Sequence, residues 1–361
     1  MRRRFYAEIM AMNEKNKIRS IRRTVAIIGF GRFGELAASV FSKRGDVRVY
    51  DHKISQGDTL KAKKIGAKIV SLKEAAGCDL IILTVPISVT EEVIKKIANY
   101  VKPGALIVDT CSVKVYPCQW LKKYLPENVM IMGTHPQFGP VTTKFSFEKQ
   151  SWNLKDLQIV LCPIRISPEE LKKIRGFLTG LGLKIIITSP ENHDRQNAYT
   201  LGLVHFVGRA LLGAGAREQE IFTPGYTDLL SILPHTTSDN WQLFYDMHNF
   251  NPYAGSVREK FMAACEALDG RIRKAKREDE LDFRRETINK IDNRIFKLLA
   301  GRFAEVKAIG RIKKKKGLAV IDKKREEEII KDKVKKFRMN ERLVRGIYKA
   351  IMEESYKKQA N

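Results

Sequence analysis

The sequence predicts a chain of two classes in succession, α/β and then all-α: a doubly wound parallel sheet first, bundled helices after it. Three observations carry that expectation. Short apolar, β-branched runs alternate with helix-length stretches up to about residue 190, the pattern of strands joined by crossover helices. A glycine-rich loop sits between the first such run and the first helix. From residue 199 onward the chain reads as helical, with Pro224, Pro234 and Pro252 as punctuation.

Taken in order, the chain opens on MRRRFYAEIMAMNEKNKIRSIRR, which is basic and lacks the unbroken apolar stretch of a secretory signal; residues 1–23 read as a basic extension. Residues 24–34, TVAIIGFGRFG, form a strand running into G-x-G-x-x-G, followed by a helix (ELAASVFSKRG) and a second strand (VRVYD). That context gives the glycine motif its meaning. Gly29 allows a tight turn, Gly31 lets a pyrophosphate approach the backbone, Gly34 lets the helix pack close, and the phosphates sit at a helix N-terminus. Asp51, seventeen residues past Gly34, favours a free ribose 2′-hydroxyl over a 2′-phosphate. The expected cofactor is therefore NAD, on a Rossmann-type dinucleotide-binding domain at 24–190, with His52 and Lys53 leaving NADP open. LIILTVP, ALIVDTCS, VMIMGTHP, LQIVLCP and LKIIIT supply further strands. Residues 191–275 read as a helical dimerisation domain, RIRKAKREDE at 271–280 as the junction, and 281–361 as a three-helix domain. Neither end leaves room for a separate regulatory domain.

Composition narrows the class. The 361 residues, 43% hydrophobic, give room for two or three domains with real cores, and no apolar run approaches the ~18 residues of a membrane span. Five cysteines without CxxC or metal-ligand spacing point to a reducing cytoplasm and to no metal. The net charge of +26 is concentrated in residues 281–361, where 25 basic residues face 12 acidic ones. No zinc-finger, RNA-binding or recognition-helix pattern accompanies it, so the charge is assigned to small anionic ligands and not to a specific nucleic acid.

In that last segment, at about 100° per residue, Ile291, Ile295, Leu298, Val306 and Ile309 share a face with Arg302 and Lys313, while Arg285 points away toward a neighbouring helix or subunit. Cations on an apolar stripe are costly unless paired. A second helix begins at Asp322, a good N-cap, and its inward row reads Glu326, Ile330, Val334, Phe337. A third continues the row through Val344, Ile347 and Ile351 into Ser355 and Gln359. The plainer alternative is a helical dimerisation or ligand-sensing module without catalysis.

These residues resemble the all-helical chorismate mutase family across 281–361: Arg285 seven residues before Asp292, then Arg302, Lys313, Asp322, Arg325, Glu326, Ser355 and Gln359. The resemblance implies rearrangement of chorismate to prephenate with no covalent intermediate. Arg285, Arg302 and Arg325 would hold the substrate's polar groups, Lys313 and Gln359 would donate to the breaking ether oxygen, Glu326 would accept the ring hydroxyl, and Ser355 and Asp322 would complete the cradle. It also implies an intertwined homodimer in which Arg285 serves the partner subunit.

Upstream, VPISVTEEVI, DTCSVK, GTHPQFGP and, at 193–206, HDRQNAYTLGLVHF resemble the prephenate dehydrogenase family across roughly residues 24–270. That resemblance implies oxidative decarboxylation of prephenate to 4-hydroxyphenylpyruvate with NAD. Its cofactor set is Gly29, Phe30, Gly31, Arg32, Phe33, Gly34, Asp51, Val85 and Pro86. Neutral His135 would accept a hydrogen bond from the ring hydroxyl, Ser112 would share that hydroxyl, Lys114 would add positive charge, and His205 would face the substrate. His193 and Asp194 open a helix and are read as capping and orienting it. The family's arginine for the ring carboxylate is absent from PGYTDLLSILPHTT, where Thr227 or Ser231 takes its place. Arg195, Arg209, Arg217 and Lys114 are open substitutes that no spacing separates, and arogenate stays in play beside prephenate. Together the two resemblances describe a bifunctional tyrosine-biosynthesis enzyme.

Overall fold

The computed structural model describes residues 24–139, 143, 145–146, 151–275, 280–317 and 322–360; the basic extension lies outside them. The chain divides into two compact units, one up to Ala264 and one from Cys265.

The first unit is built on eight strands: β1 (Thr24–Ile28), β2 (Asp46–Tyr50), β3 (Lys68–Ile69), β4 (Leu80–Leu83), β5 (Leu106–Asp109), β6 (Met130–Pro136), β7 (Gln158–Arg165) and β8 (Lys184–Ile187). They lie in the order β8-β7-β6-β5-β4-β1-β2-β3. All pairs are parallel except β6 with β7, which is antiparallel. Because side chains alternate along a strand, Val25 and Ile27 enter one face's core while Ala26 and Ile28 enter the other's. Both faces are covered, which is why the strands read as continuous apolar runs. The covering helices are α1 (Arg32–Ser42), α2 (Gln56–Ile65), α3 (Leu72–Ala76), α4 (Ile87–Ile97), α5 (Val115–Tyr124) and α6 (Pro168–Gly180). The order reverses at β1, between β4 and β2, and such a switch point opens a crevice beyond the strands' C-terminal ends.

Helices take over at α7 (Pro190–Asn197), which runs through a π-helical stretch, Ala198–Leu203, into α8 (Val204–Gly213). Next come α9 (Pro224–Leu230), α10 (Leu233–Thr237), α11 (Trp241–Asn249) and α12 (Ala254–Ala275). Single π turns inside α-helices are frequent near functional groups; this one directly precedes His205.

The second unit holds α13 (Glu280–Lys316), α14 (Lys323–Phe337) and α15 (Glu341–Ala360), with α15 packed on both others. Val306, Val344 and Ser355 are its buried anchors. The rest of the expected inward stripe is open in a single chain: Ile291, Ile295, Leu298 and Ile309 are 53, 48, 66 and 45% exposed, and Phe337 is 58% exposed.

Candidate functional site

The glycine loop turns between β1 and α1. Gly29 has φ +104°, and a Cβ on it would stand 2.7 Å from the Thr84 carbonyl oxygen, so no other residue fits the turn. A Cβ on Gly34 would lie 2.0 Å from the Gly29 carbonyl oxygen, which is how closely α1 approaches the strand. At Gly31 a Cβ would meet nothing within 4 Å. Gly31 also caps α1 without a side-chain hydrogen bond, leaving first-turn amides for an anion. Phe30 and Phe33 turn their rings into the core and offer the loop their backbone. Val85 packs behind Gly29, and Pro86 begins α4. The Asp51 carboxylate accepts the Phe30 amide at 2.7 Å and the Lys53 amide at 3.1 Å, fixing the end of β2 against the loop. The donor set fits a dinucleotide. Arg32 reaches instead across to Asp239 (3.2 Å) and the Ser238 carbonyl.

At the C-terminal ends of β5 and β6 a polar cluster is buried in an apolar sheet. Asp194, fully buried, accepts the amides of Lys114 at 2.7 Å and Val115 at 2.9 Å, and His193 Nδ1 at 2.7 Å. His193 Nε2 meets His135 Nδ1 at 2.9 Å. The hydrogens follow from the carboxylate. A proton on His193 Nδ1 serves Asp194, which leaves Nε2 as a lone pair, so the shared proton belongs to His135 Nδ1 and His135 Nε2 is a bare acceptor. Gln137 Nε2 stands 2.9 Å from the same Nδ1; because that Nδ1 carries a proton, the amide is assigned the half-turned orientation, which puts its oxygen there as a second acceptor. Burial, His193 and the Lys114 ammonium push the His135 pKa well below the imidazole range. The ring is held neutral. Ser112 Oγ is buried with no partner among the described residues, while its carbonyl accepts Asn197 Nδ2 at 2.7 Å.

Two placements correct the sequence reading. Lys114, expected at the substrate, is fully buried, its ammonium held by the Asp109 carboxylate and, at 2.5 Å, by the Thr134 carbonyl. Burial works against its charge, but Asp109 outweighs that and the pKa stands above the lysine norm. Its cation is spent inside the protein. His193 and Asp194 do not cap their own helix; Ser189 does, accepting the Asn192 amide at 3.1 Å. Asp194 caps α5 across the fold, and its neighbour fixes His135.

A second cluster lies on α8. His205 is 4% exposed with Nδ1 unpartnered, and Arg209 one turn on holds the Asp239 carbonyl at 2.6 Å. The described contacts do not join this cluster to His135.

In the second unit, Arg302 Nη1 donates to Ser355 Oγ at 2.7 Å, which in turn donates to the Ile351 carbonyl at 2.6 Å. Glu326 accepts the Tyr356 hydroxyl, which raises that phenol's pKa to about 12; Tyr356 is a neighbour the sequence reading missed, adjacent to Ser355 on α15. Asp322 caps α14 by accepting the Arg325 amide at 3.1 Å. Lys313 is half-buried on α13. Arg285 is 68% exposed, 3.6 Å from Asp282, outside this group. The Gln359 side chain lies outside the described residues, and among those residues no group of side chains has metal-binding character.

Comparison with known proteins gives three family matches in order: the prephenate dehydrogenase nucleotide-binding domain at 37–187, the TYRAAT1-like C-terminal domain at 211–283, and chorismate mutase type II at 284–360. Arogenate dehydrogenase 2, chloroplastic, of Arabidopsis thaliana is 30% identical over 254 residues, 68% of either chain. A probable arogenate/prephenate dehydrogenase of Methanocaldococcus jannaschii is 30% identical over 268 residues; the match covers 71% of this chain and 58% of that protein's length. Among solved structures, prephenate dehydrogenase from A. aeolicus with hydroxyphenyl propionate and NAD+ shares the fold, at 20% identity, a TM-score of 0.57, and coverage of 76% of this chain and 98% of that one. Fold, motif order and family matches agree: the chain belongs to the prephenate and arogenate dehydrogenase family and carries a chorismate mutase type II domain behind it.

Proposed function

We propose that the protein is a bifunctional enzyme that rearranges chorismate to prephenate in its C-terminal domain and oxidatively decarboxylates prephenate with NAD in its N-terminal domains. The observation that carries the dehydrogenase reading is the Asp194–His193–His135 chain, which ends in a neutral nitrogen acceptor. Bound NAD supplies the hydride acceptor. His135 Nε2 accepts the hydrogen bond of the substrate's ring hydroxyl and draws off positive charge as hydride leaves that carbon, and Ser112 Oγ steadies the same oxygen. Loss of carbon dioxide then makes the ring aromatic, which drives the step. Gly29 to Gly34 with Val85 and Pro86 cradle the dinucleotide, and the Asp51 carboxylate beside the loop favours NAD over NADP.

For the rearrangement, Arg302 and Ser355 are already together, and Lys313 and Gln359 are assigned to the ether oxygen. Arg285, Arg325, Asp322 and Glu326 complete that site. The exposed stripe on α13 and the outlying Arg285 support a homodimer in which the stripe is covered and Arg285 serves the partner subunit. Four buried, unpaired cysteines fit a reducing cytoplasm, and no helix among the described residues is long and apolar enough to cross a membrane.

The test gives the purified protein chorismate alone, then chorismate with NAD, following prephenate, 4-hydroxyphenylpyruvate and NADH. Lys313→Ala abolishes rearrangement and spares prephenate oxidation; His135→Ala does the reverse. A folded variant of either kind that loses both activities sinks the two-site reading. Arogenate offered in place of prephenate, and NADP in place of NAD, test the preferences directly.

A further inference from the structure

Tyr356 stands beside the residues assigned to chorismate without being one of them. It lies on α15 between Ser355 and Gln359, the two residues of that helix that the sequence pattern places in the cradle. Successive helical residues point about 100° apart, and α15 packs on both α13 and α14, so adjacent side chains reach different helices. Ser355 takes Arg302 of α13 at 2.7 Å, and the Tyr356 hydroxyl donates to Glu326 Oε1 of α14.

Glu326 is the carboxylate assigned to the substrate's ring hydroxyl, and this bond divides its two oxygens. Oε1 is taken; Oε2 has no partner among the described residues and is left to accept a second hydroxyl. Glu326 and Tyr356 are both only half-buried, so packing alone does not fix a glutamate with three rotatable bonds. The phenol fixes it, and a carboxylate ordered before binding spares the substrate that loss of freedom. Glu326 in turn raises the phenol's pKa to about 12, which keeps the donor protonated. The helix pair does not depend on this bond, because the Arg345 guanidinium of α15 also meets both Glu327 oxygens of α14, at 2.7 and 3.0 Å.

We propose that Tyr356 is a positioning residue for the rearrangement: its hydroxyl holds Glu326 so that the free carboxylate oxygen meets the ring hydroxyl of chorismate. This rests on the mutase reading above and adds a residue outside the set that the resemblance supplies.

The test uses the full chain with Tyr356→Phe, Glu326→Ala and the two together, each given chorismate and an analogue with hydrogen in place of the ring hydroxyl. Tyr356→Phe raises the KM for chorismate about tenfold with kcat within about threefold, the effect of one hydrogen bond made alike in ground and transition states. On the analogue the same substitution changes kcat/KM by less than about twofold, which also reports a folded domain. Added to Glu326→Ala, it costs less than about twofold more, because the group it positions is already gone. An unchanged KM for chorismate overturns the proposal, as does an equal loss on both substrates, which reduces Tyr356 to packing, or full additivity with Glu326→Ala. A lowered KM overturns it too, since the phenol then competes with the substrate for Glu326. If wild type leaves chorismate unchanged, the mutase reading itself fails and the proposal falls with it.

Discussion

Replacing Asp194 with asparagine changes one atom's identity and, through it, the proton arrangement of two histidines. The native carboxylate accepts three hydrogen bonds, from the Lys114 and Val115 amides and from His193 Nδ1, at 2.7 to 2.9 Å. An asparagine has one oxygen to accept with. Oδ1 accepts both the Lys114 amide and His193 Nδ1 while Oδ2 accepts the Val115 amide, so an asparagine whose oxygen stays with Val115 turns its NH2 to His193 Nδ1, which must become the acceptor. His193 Nε2 then carries the proton and donates to His135 Nδ1, and the His135 proton moves to Nε2, where the substrate hydroxyl needs a lone pair. Prephenate oxidation should fall by about 10²- to 10⁴-fold in kcat, the range that a positioned acid or base contributes. One backbone amide also loses its buried acceptor, at about 1–3 kcal/mol of stability. The assay is steady-state NADH formation from prephenate beside urea unfolding, with chorismate rearrangement followed in the same sample. A folded Asp194→Asn protein that keeps kcat within about threefold would refute the placement of the NH2 against His193 and the tautomer change drawn from it, because the fall is far larger than any loss of occupancy by a stable fold.

Three further outcomes are expected. Lys114→Met strips the buried Asp109 carboxylate of its cation and costs about 3–5 kcal/mol in urea unfolding, the magnitude for breaking one half of a buried pair. Gly34→Ala places a Cβ 2.0 Å from the Gly29 carbonyl oxygen, so NADH binding measured by fluorescence weakens by about tenfold or more while chorismate rearrangement persists. Burial lowers the pKa of His135 and His205, and that of His248 to about 4, so below pH 6.5 the unfolded chain binds protons the folded one refuses. Stability therefore falls with acid, by about 1.4 kcal/mol per pH unit for each histidine still neutral in the fold, and urea midpoints from pH 7 to pH 5 check it.

What could be read from sequence was local. The glycine loop, Asp51 and the strands are specified by neighbours within a few residues, and they stand where the pattern places them. The role of His193 and Asp194 was not local: it depends on α7 meeting α5 and β6, with Asp194 lying 80 residues from Lys114 and His193 58 from His135. A signal was nonetheless present. Ser189 followed by Pro190 already makes a complete helix start, leaving the next polar pair free for other work. Lys114 was misplaced for a related reason, since loop residues default to the surface and nothing in DTCSVK reveals that Asp109 faces inward. On α13 the periodicity identified residues sharing a face, but a period cannot say what covers that face.

The buried Lys114–Asp109 pair gives the two halves of the chain different relations to the solvent. An ammonium sealed at the ends of the interior strands β5 and β6 lies beyond the reach of mobile ions, so its influence on His135 does not fade as salt is added. Arg285 and Arg325 stand at the surface, where about 0.15 M salt screens charge within about 8 Å. The chain thus carries an internal electrode at one end and a set of open charges at the other. The protonation state of His135 belongs to the fold, whereas the chorismate capture proposed for the second unit answers to the medium.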